Sequence, residues 1–155
     1  MNNGQRMERY LSEKVLSDLS KKMVFLTGAR QVGKTTLAKE VMQKFKKAQY
    51  LNWDVFEDQR IISNRSWWPD FDLLVLDEIH KMRDWKMFLK GICDSRREGQ
   101  AILVTGSARL ETYRQAGESL AGRYFHLRLH PFSVKEWMDL TGADAEEGLS
   151  KILER

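Results

Sequence analysis

The run Gly28-Ala29-Arg30-Gln31-Val32-Gly33-Lys34-Thr35-Thr36 has the residue types and spacing of a phosphate cradle. Its two glycines permit a tight turn in which successive backbone N–H groups point inward at phosphate oxygens. Lys34 can reach the β- and γ-phosphates as a point charge, and the Thr35 hydroxyl can ligate Mg²⁺. A helix opening at this point adds the positive end of its dipole. The bland alternative is a Gly-rich turn with an exposed lysine. The flanking sequence argues against it: Met23 to Thr27 is an apolar run suited to a buried strand, and Leu37, Ala38, Val41, Met42 and Phe45 follow at helical spacing.

A second chemical pattern is Leu73-Leu74-Val75-Leu76-Asp77-Glu78, four aliphatic residues and then two carboxylates. In a parallel sheet the carboxyl ends of the strands carry the ligand. Asp77 is therefore expected beside the phosphate loop, holding Mg²⁺ directly or through water. Glu78 is expected on the other side of the strand, where it can polarise an attacking water. Two acids capping the next helix is the alternative. The strand ending Leu103-Val104-Thr105-Gly106-Ser107 offers a polar side chain near a γ-phosphate, Ser107 first and Thr105 second, against an ordinary glycine turn with a serine cap.

These groups need elements to hold them. Arg6 to Lys22 reads as a helix, followed by the first strand, the loop and a helix to about Lys47. Gln49 to Trp53 reads as a second strand, Asp54 to Asn64 as a short helix or turn, and Ser66 to Asp70 as a loop, because Pro69 biases Trp68 away from helix. Phe71 to Leu76 is the third strand, and Trp85, Phe88, Leu89, Ile92 and Cys93 mark a helix. Ala101 to Thr105 is the fourth strand, Leu110 to Leu120 a weaker helix, and Tyr124 to Leu129 a fifth strand broken by Pro131. Ser133 can cap a helix running through Asp139. Strands alternating with helices give an α/β fold, and uninterrupted apolar strands suit a mostly parallel sheet covered on both faces.

The chain has 155 residues, 42% hydrophobic and 31% charged, which suits one globular domain with a sizeable core. No apolar run approaches the roughly 18 residues that span a bilayer, and no secretory h-region follows Met1 to Arg6. The single cysteine, Cys93, forms no internal disulfide and suits a reducing cytosol. Its place on an apolar helix face reads as core. The net charge of +4 is mildly basic, with clusters at Lys44, Lys46 and Lys47 and at Arg96 and Arg97. Solvated helix ends explain them, and a phosphate-backbone patch is the sharper reading.

Taken together, the loop, Asp77-Glu78-Ile79-His80-Lys81 with Asp84-Trp85, Thr105-Gly106-Ser107-Ala108-Arg109, Leu120-Ala121-Gly122-Arg123 and Leu129-His130-Pro131-Phe132-Ser133 resemble one prokaryotic family of AAA+-like P-loop ATPases. The resemblance covers about residues 20–140. It implies a three-layer α/β/α core with a mostly parallel five-stranded sheet, the phosphate-loop strand central, and the Ser107 strand between it and the Asp77 strand. It implies ATP and Mg²⁺, with Gly28 to Thr36 as the phosphate loop, Thr35 and Asp77 at the metal, and Lys34, Glu78, Ser107 and Arg123 in catalysis. Arg123 matches the family's Gly-Arg element, and its planar fork suits a phosphoryl oxygen as an arginine finger. His80 fits the pattern as a positioning residue. Members normally carry a further C-terminal domain of unknown function, so the resemblance implies one domain over 1–155, with an N-terminal helix (1–22), a core (23–140) and a helical tail (141–155), and either the tail opens such a further region or the functions of that region are missing here.

Three functions are open at this point. The first is a cytoplasmic Mg²⁺-dependent ATPase, preferred over a GTPase because no guanine-reading Asn-Lys-x-Asp element occurs. The second is a nucleotide-dependent switch with little turnover alone, completed by another copy or a partner protein that supplies an arginine. The third is a nucleic-acid-associated ATPase, motivated by the basic charge and by Trp53, Trp67, Trp68 and Trp85 as stacking platforms. For Trp67 and Trp68, packing against the core is the ordinary alternative.

Overall fold

The computed structural model describes residues 10–107, 120–131, 133, 135, 136, 138, 142, 144, 146 and 150. Helix α1 (Ser12–Leu19) leads into β1 (Met23–Gly28), then α2 (Lys34–Met42), β2 (Ala48–Asn52), α3 (Phe56–Asn64) and β3 (Leu73–Asp77). A 3-10 turn (Ile79–Lys81), α4 (Trp85–Ser95), β4 (Ala101–Ser107) and β5 (Tyr124–Arg128) follow among the described residues. The strands form one five-stranded sheet in the order β2-β3-β4-β1-β5. Every neighbouring pair is parallel.

Strands β1 and β3 are buried along their whole length, as expected of a parallel sheet with both faces covered. The two-residue strand period sends alternate side chains to opposite layers. In β3, Leu74 and Leu76 join Ile62 of α3 and Phe88, Leu89 and Ile92 of α4. Leu73 and Val75 join Val15 and Leu19 of α1 and Leu37 and Val41 of α2 on the other face. The three-layer α/β/α expectation holds, and the Ser107 strand does lie between the phosphate-loop strand and the Asp77 strand. The geometric middle is β4 rather than β1, because only β5 lies beyond β1.

The element boundaries moved where local polar chemistry outweighed hydrophobicity. Phe71 is buried, yet β3 begins only at Leu73. The Asp72 carboxylate accepts the backbone N–H groups of Lys46 and Lys47 at 2.9 and 2.8 Å, which holds 71–72 outside the strand, beside the start of β2. Asp54 to Asn64 resolves into a helix from Phe56, where the Asp58 carboxylate accepts the Asn52 N–H at 2.9 Å. The Ser133 expectation gains a partner: the Glu136 N–H donates to Ser133 Oγ at 3.2 Å, and the Ser133 N–H donates to Glu136 Oε2 at 3.0 Å. That reciprocal pair is a capping box. Residues 6–9 of the first predicted helix, nearly all of the Leu110 to Leu120 helix and most of the 141–155 tail lie outside the described residues.

Register is what the fold contributes to function. Gly28 pairs with Ser107, Thr27 with Gly106, Thr105 with Asp77, and Asp77 with Asn52. The carboxyl ends of β1, β3 and β4 therefore line up at one edge, where open α/β sheets bind ligands.

Candidate active site

The loop leaves β1 at Gly28. A Cβ there would stand 2.5 Å from the Leu129 carbonyl oxygen and 3.0 Å from Val32 Cγ2. Leu129 cannot retreat, because its N–H is bonded to the Thr27 carbonyl at 2.7 Å. Gly28→Ala is therefore expected to cost about 1–3 kcal/mol through overpacking. This is read as a lower urea midpoint at unchanged slope, and a variant as stable as the parent would show that the contact is not tight. The chain then turns through left-handed conformations at Gln31 (φ 64°) and Gly33 (φ 97°). Gly33 is the N-cap of α2, so the first free N–H groups of that helix face the loop interior. Val32 points into the core, so it offers a ligand only its backbone.

Lys34 Nζ donates to the Gly28 and Ala29 carbonyls at 3.0 and 2.7 Å. Burial lowers its pKa, while the charges of Glu78 and Asp77 pull it back up. The ammonium is thus held over the loop by two neutral acceptors that an anionic oxygen could displace.

Asp77, at the end of β3, is buried and fully engaged. Thr105 Oγ1 donates to Oδ1 at 2.7 Å, and the Tyr50 hydroxyl donates to Oδ2. The Thr35 side chain neighbours the same hydroxyl. Hydrogen bonds thus run Tyr50, Asp77, Thr105, with Thr35 beside the Tyr50 end, so both expected metal-binding residues adjoin Tyr50. Burial raises the Tyr50 pKa, and its bond to the Asp77 carboxylate raises it further, so the phenol stays a donor. Thr105, second choice for sensing a phosphate, is completely buried and turned to Asp77, whereas Ser107 is partly accessible and lines the cavity. Tyr50 escaped the sequence reading. The available signal was register: a tyrosine in the strand next to Asp77, two residues before the Asn52 that pairs with it.

Glu78 lies just past β3 in a left-handed conformation (φ 56°), with its N–H bonded to the Thr105 carbonyl at 2.9 Å. Strand alternation thus stops governing its direction, and the expectation that it faces away across the strand gives way. Its side chain lines a cavity of about 670 Å³ together with Arg30, Lys34, His80, Lys81 and Ser107. Its Oε2 lies 3.4 Å from Lys81 Nζ and 3.5 Å from His80 Nε2. Lys81 is itself anchored on both oxygens of Asp54 at 2.7 and 2.6 Å, which raises its pKa. Burial lowers the His80 pKa, so the ring favours its neutral form, and its Nδ1 is buried without a hydrogen bond among the described residues. His80 thus sits where a positioning residue for Glu78 would.

Arg123 is not brought to this cavity. It precedes β5, whose first residue pairs with Met23, the first residue of β1. The opposite edge of the sheet is about 17 Å from the phosphate loop, at roughly 3.3 Å per strand residue. Its guanidinium holds Asp94 at 2.8 and 3.3 Å. A finger role within its own chain is therefore corrected by parallel topology, and only the site of another copy remains open to it. Cys93 is half-buried, with its thiol 3.9 Å from the Arg123 carbonyl. Trp85 is core, Trp53 and Trp67 pack against that core, and Trp67 sits edge-on to Phe88, while Trp68 is 52% exposed.

Comparison with known proteins follows this geometry. The AAA domain family matches residues 20–138. An uncharacterized protein of Methanocaldococcus jannaschii, MJ1637, is 25% identical over 146 residues, which cover 83% of this chain and 30% of that protein. The Aeropyrum pernix ORC1 protein, solved in complex with DNA, superposes with a TM-score of 0.55 over 88% of this chain and 48% of its own, at 16% identity. That likeness is one of fold. The chain thus spans under half the length of either protein, and no helix among its described residues is long and apolar enough to cross a membrane. With the matched segment running from before β1 to beyond β5, the chain belongs to the AAA domain family and carries an AAA+-like P-loop ATPase core.

Proposed function

We propose that the chain binds ATP with Mg²⁺ and hydrolyses it to ADP and phosphate. The observation that carries this is the grouping of Lys34, Glu78 and Ser107 around one cavity, with Asp77 bonded behind it. The donor set fits the metal. Mg²⁺ takes one or two protein oxygens and completes its shell with phosphate and water, and Thr35 and Asp77 are hard oxygen donors that both adjoin Tyr50.

In this reading the loop N–H groups from Gly28 to Thr36 cradle the phosphates, and Lys34 exchanges its carbonyl partners for a phosphoryl oxygen. Bound Mg²⁺ neutralises developing charge on the transferred group. Glu78 orients and deprotonates the attacking water, steadied by Lys81 and His80, and Ser107 contacts the γ-phosphate side. Engagement of Glu78 by Lys81 and His80, and of Lys34 by the loop, favours slow turnover in isolation, the switch-like second reading. A localisation in the cytoplasm and an arginine supplied by another copy or a partner belong to this proposal too.

The test is paired. ATP with Mg²⁺ at a hundredfold excess over Kd should stabilise the chain by about 2.7 kcal/mol, read as a higher melting temperature. Phosphate release should rise faster than linearly with protein concentration when an arginine acts in trans. Stabilisation without release supports the switch, and the absence of both removes the proposal.

A further inference from the structure

The edge of the sheet opposite the candidate active site has its own composition. All strands run parallel, so the connecting helices return their carboxyl ends to the amino edge. Helix α1 brings Lys21 there, α2 brings Lys44, Lys46 and Lys47, and α4 brings Arg96 and Arg97. A cavity of about 400 Å³ beside these helix ends is lined by Ser20, Phe45, Arg96, Arg97 and Glu98. Arg96 reaches across to the Lys21 carbonyl at 3.5 Å, which ties the α4 end to the α1 end.

The acids on this edge are Asp18, Asp70, Asp72, Asp94 and Glu98, of which Asp18 pairs with Lys14 and Asp94 with Arg123. Asp72 is used by the backbone of Lys46 and Lys47, and Asp70 pairs with Lys47 and also faces Arg97. The side chains of Lys44 and Lys46 are exposed and have no hydrogen bond or ion pair among the described residues.

Cations at helix ends alone are ordinary. Trp68 is the independent observation. It is 52% exposed, a poor choice for a surface loop unless the indole has a use. Its loop is fastened to the same edge: the Gln100 side chain donates to the Pro69 carbonyl at 3.0 Å, Asp70 holds Lys47, and the Trp68 N–H donates to Gln49 at 2.9 Å. A flat aromatic face beside a row of cations is the recurring composition of surfaces that bind single-stranded nucleic acid, phosphates on the cations and a base on the ring. The cations here come from three separate helix ends, rather than lying along one amphipathic helix as membrane-surface binders do.

We propose that the amino edge of the sheet, from Lys21 through Lys46 and Trp68 to Arg97, is a binding surface for single-stranded nucleic acid, remote from the nucleotide cavity. The surface is independent of ATP hydrolysis, so it is tested without nucleotide. The probe is a fluorescent oligo-dT of thirty nucleotides, followed by anisotropy at two salt concentrations.

Binding should weaken steeply with salt, with a slope of about −0.7 per phosphate neutralised. Lys46→Glu combined with Arg97→Glu should lower affinity more than tenfold and flatten that slope. Trp68→Ala, at an exposed site that does not threaten folding, should cost about 5- to 100-fold, as base–aromatic stacking does, with Trp68→Phe recovering most of it. Arg60→Glu, exposed on α3, serves as the charge control and should leave binding intact.

Absence of binding at low salt overturns the proposal, as does equal loss in the Arg60 control. Duplex bound as tightly as single strand, with Trp68→Ala silent, overturns the single-strand assignment. Sedimentation with phosphatidylserine vesicles but no oligonucleotide binding assigns the surface to membranes and overturns it likewise.

Discussion

Replacing Glu78 by Gln is expected to lower phosphate release by about 10²- to 10⁴-fold, the range that a positioned general base contributes, while ATP still raises the melting temperature. The amide keeps the size of the carboxylate and can still accept from Lys81 and His80, so the cavity wall stays in place. What it loses is the capacity to take a proton from water. Binding should survive because the loop, the α2 N-terminus and Lys34 are untouched. It should even tighten slightly, since Glu78 is one of two acids facing Lys34, and a neutral residue there repels the triphosphate less. Single-turnover phosphate release with protein in excess separates chemistry from product release. Turnover at the parental rate would remove Glu78 from catalysis and leave water activation to another group.

The sequence made the edge of the sheet legible before its interior wiring. Gly28, Lys34, Asp77 and Ser107 could be placed together because each follows an apolar run, and in a parallel sheet such runs end at the same side. The same logic sends Arg123 elsewhere. It stands before an apolar run, so parallel pairing with β1 sends it to the far edge. The direction of Glu78 was illegible because a single left-handed residue cancels the strand period, and nothing in a glutamate announces φ 56°. The Asp72 and Asp58 carboxylates shifted boundaries for a related reason: a carboxylate that accepts backbone N–H groups stops or starts an element at a place hydrophobicity does not mark. Trp67 and Trp68 show how far adjacency misleads. One ring packs edge-on to Phe88 and its neighbour faces solvent, a split that only the loop geometry decides.

The largest feature invisible in the sequence is the chain through Tyr50, and its removal should be felt at the metal. Tyr50→Phe deletes one oxygen. The ring is half-buried against the α1 and α2 layer and keeps that packing, so the fold should hold. Asp77 keeps Thr105 on Oδ1 but loses the donor on Oδ2, and Thr35 loses a polar neighbour. A carboxylate held through both oxygens is then held through one. For a ligand set that must meet the near-octahedral demand of Mg²⁺, such orientation matters more than added charge. Loss of a supporting hydrogen bond behind a metal ligand typically weakens metal affinity by about 10- to 100-fold. The expected result is a rise of that size in the Mg²⁺ concentration needed for half of the ATP-dependent shift in melting temperature. The weaker shift given by ATP in EDTA should stay the same, because the phosphate loop makes it alone. That contrast separates positioning from general damage: a variant that loses both shifts has a disturbed loop, and one that keeps the parental Mg²⁺ dependence shows that Tyr50 plays no part in holding Asp77 for the cation.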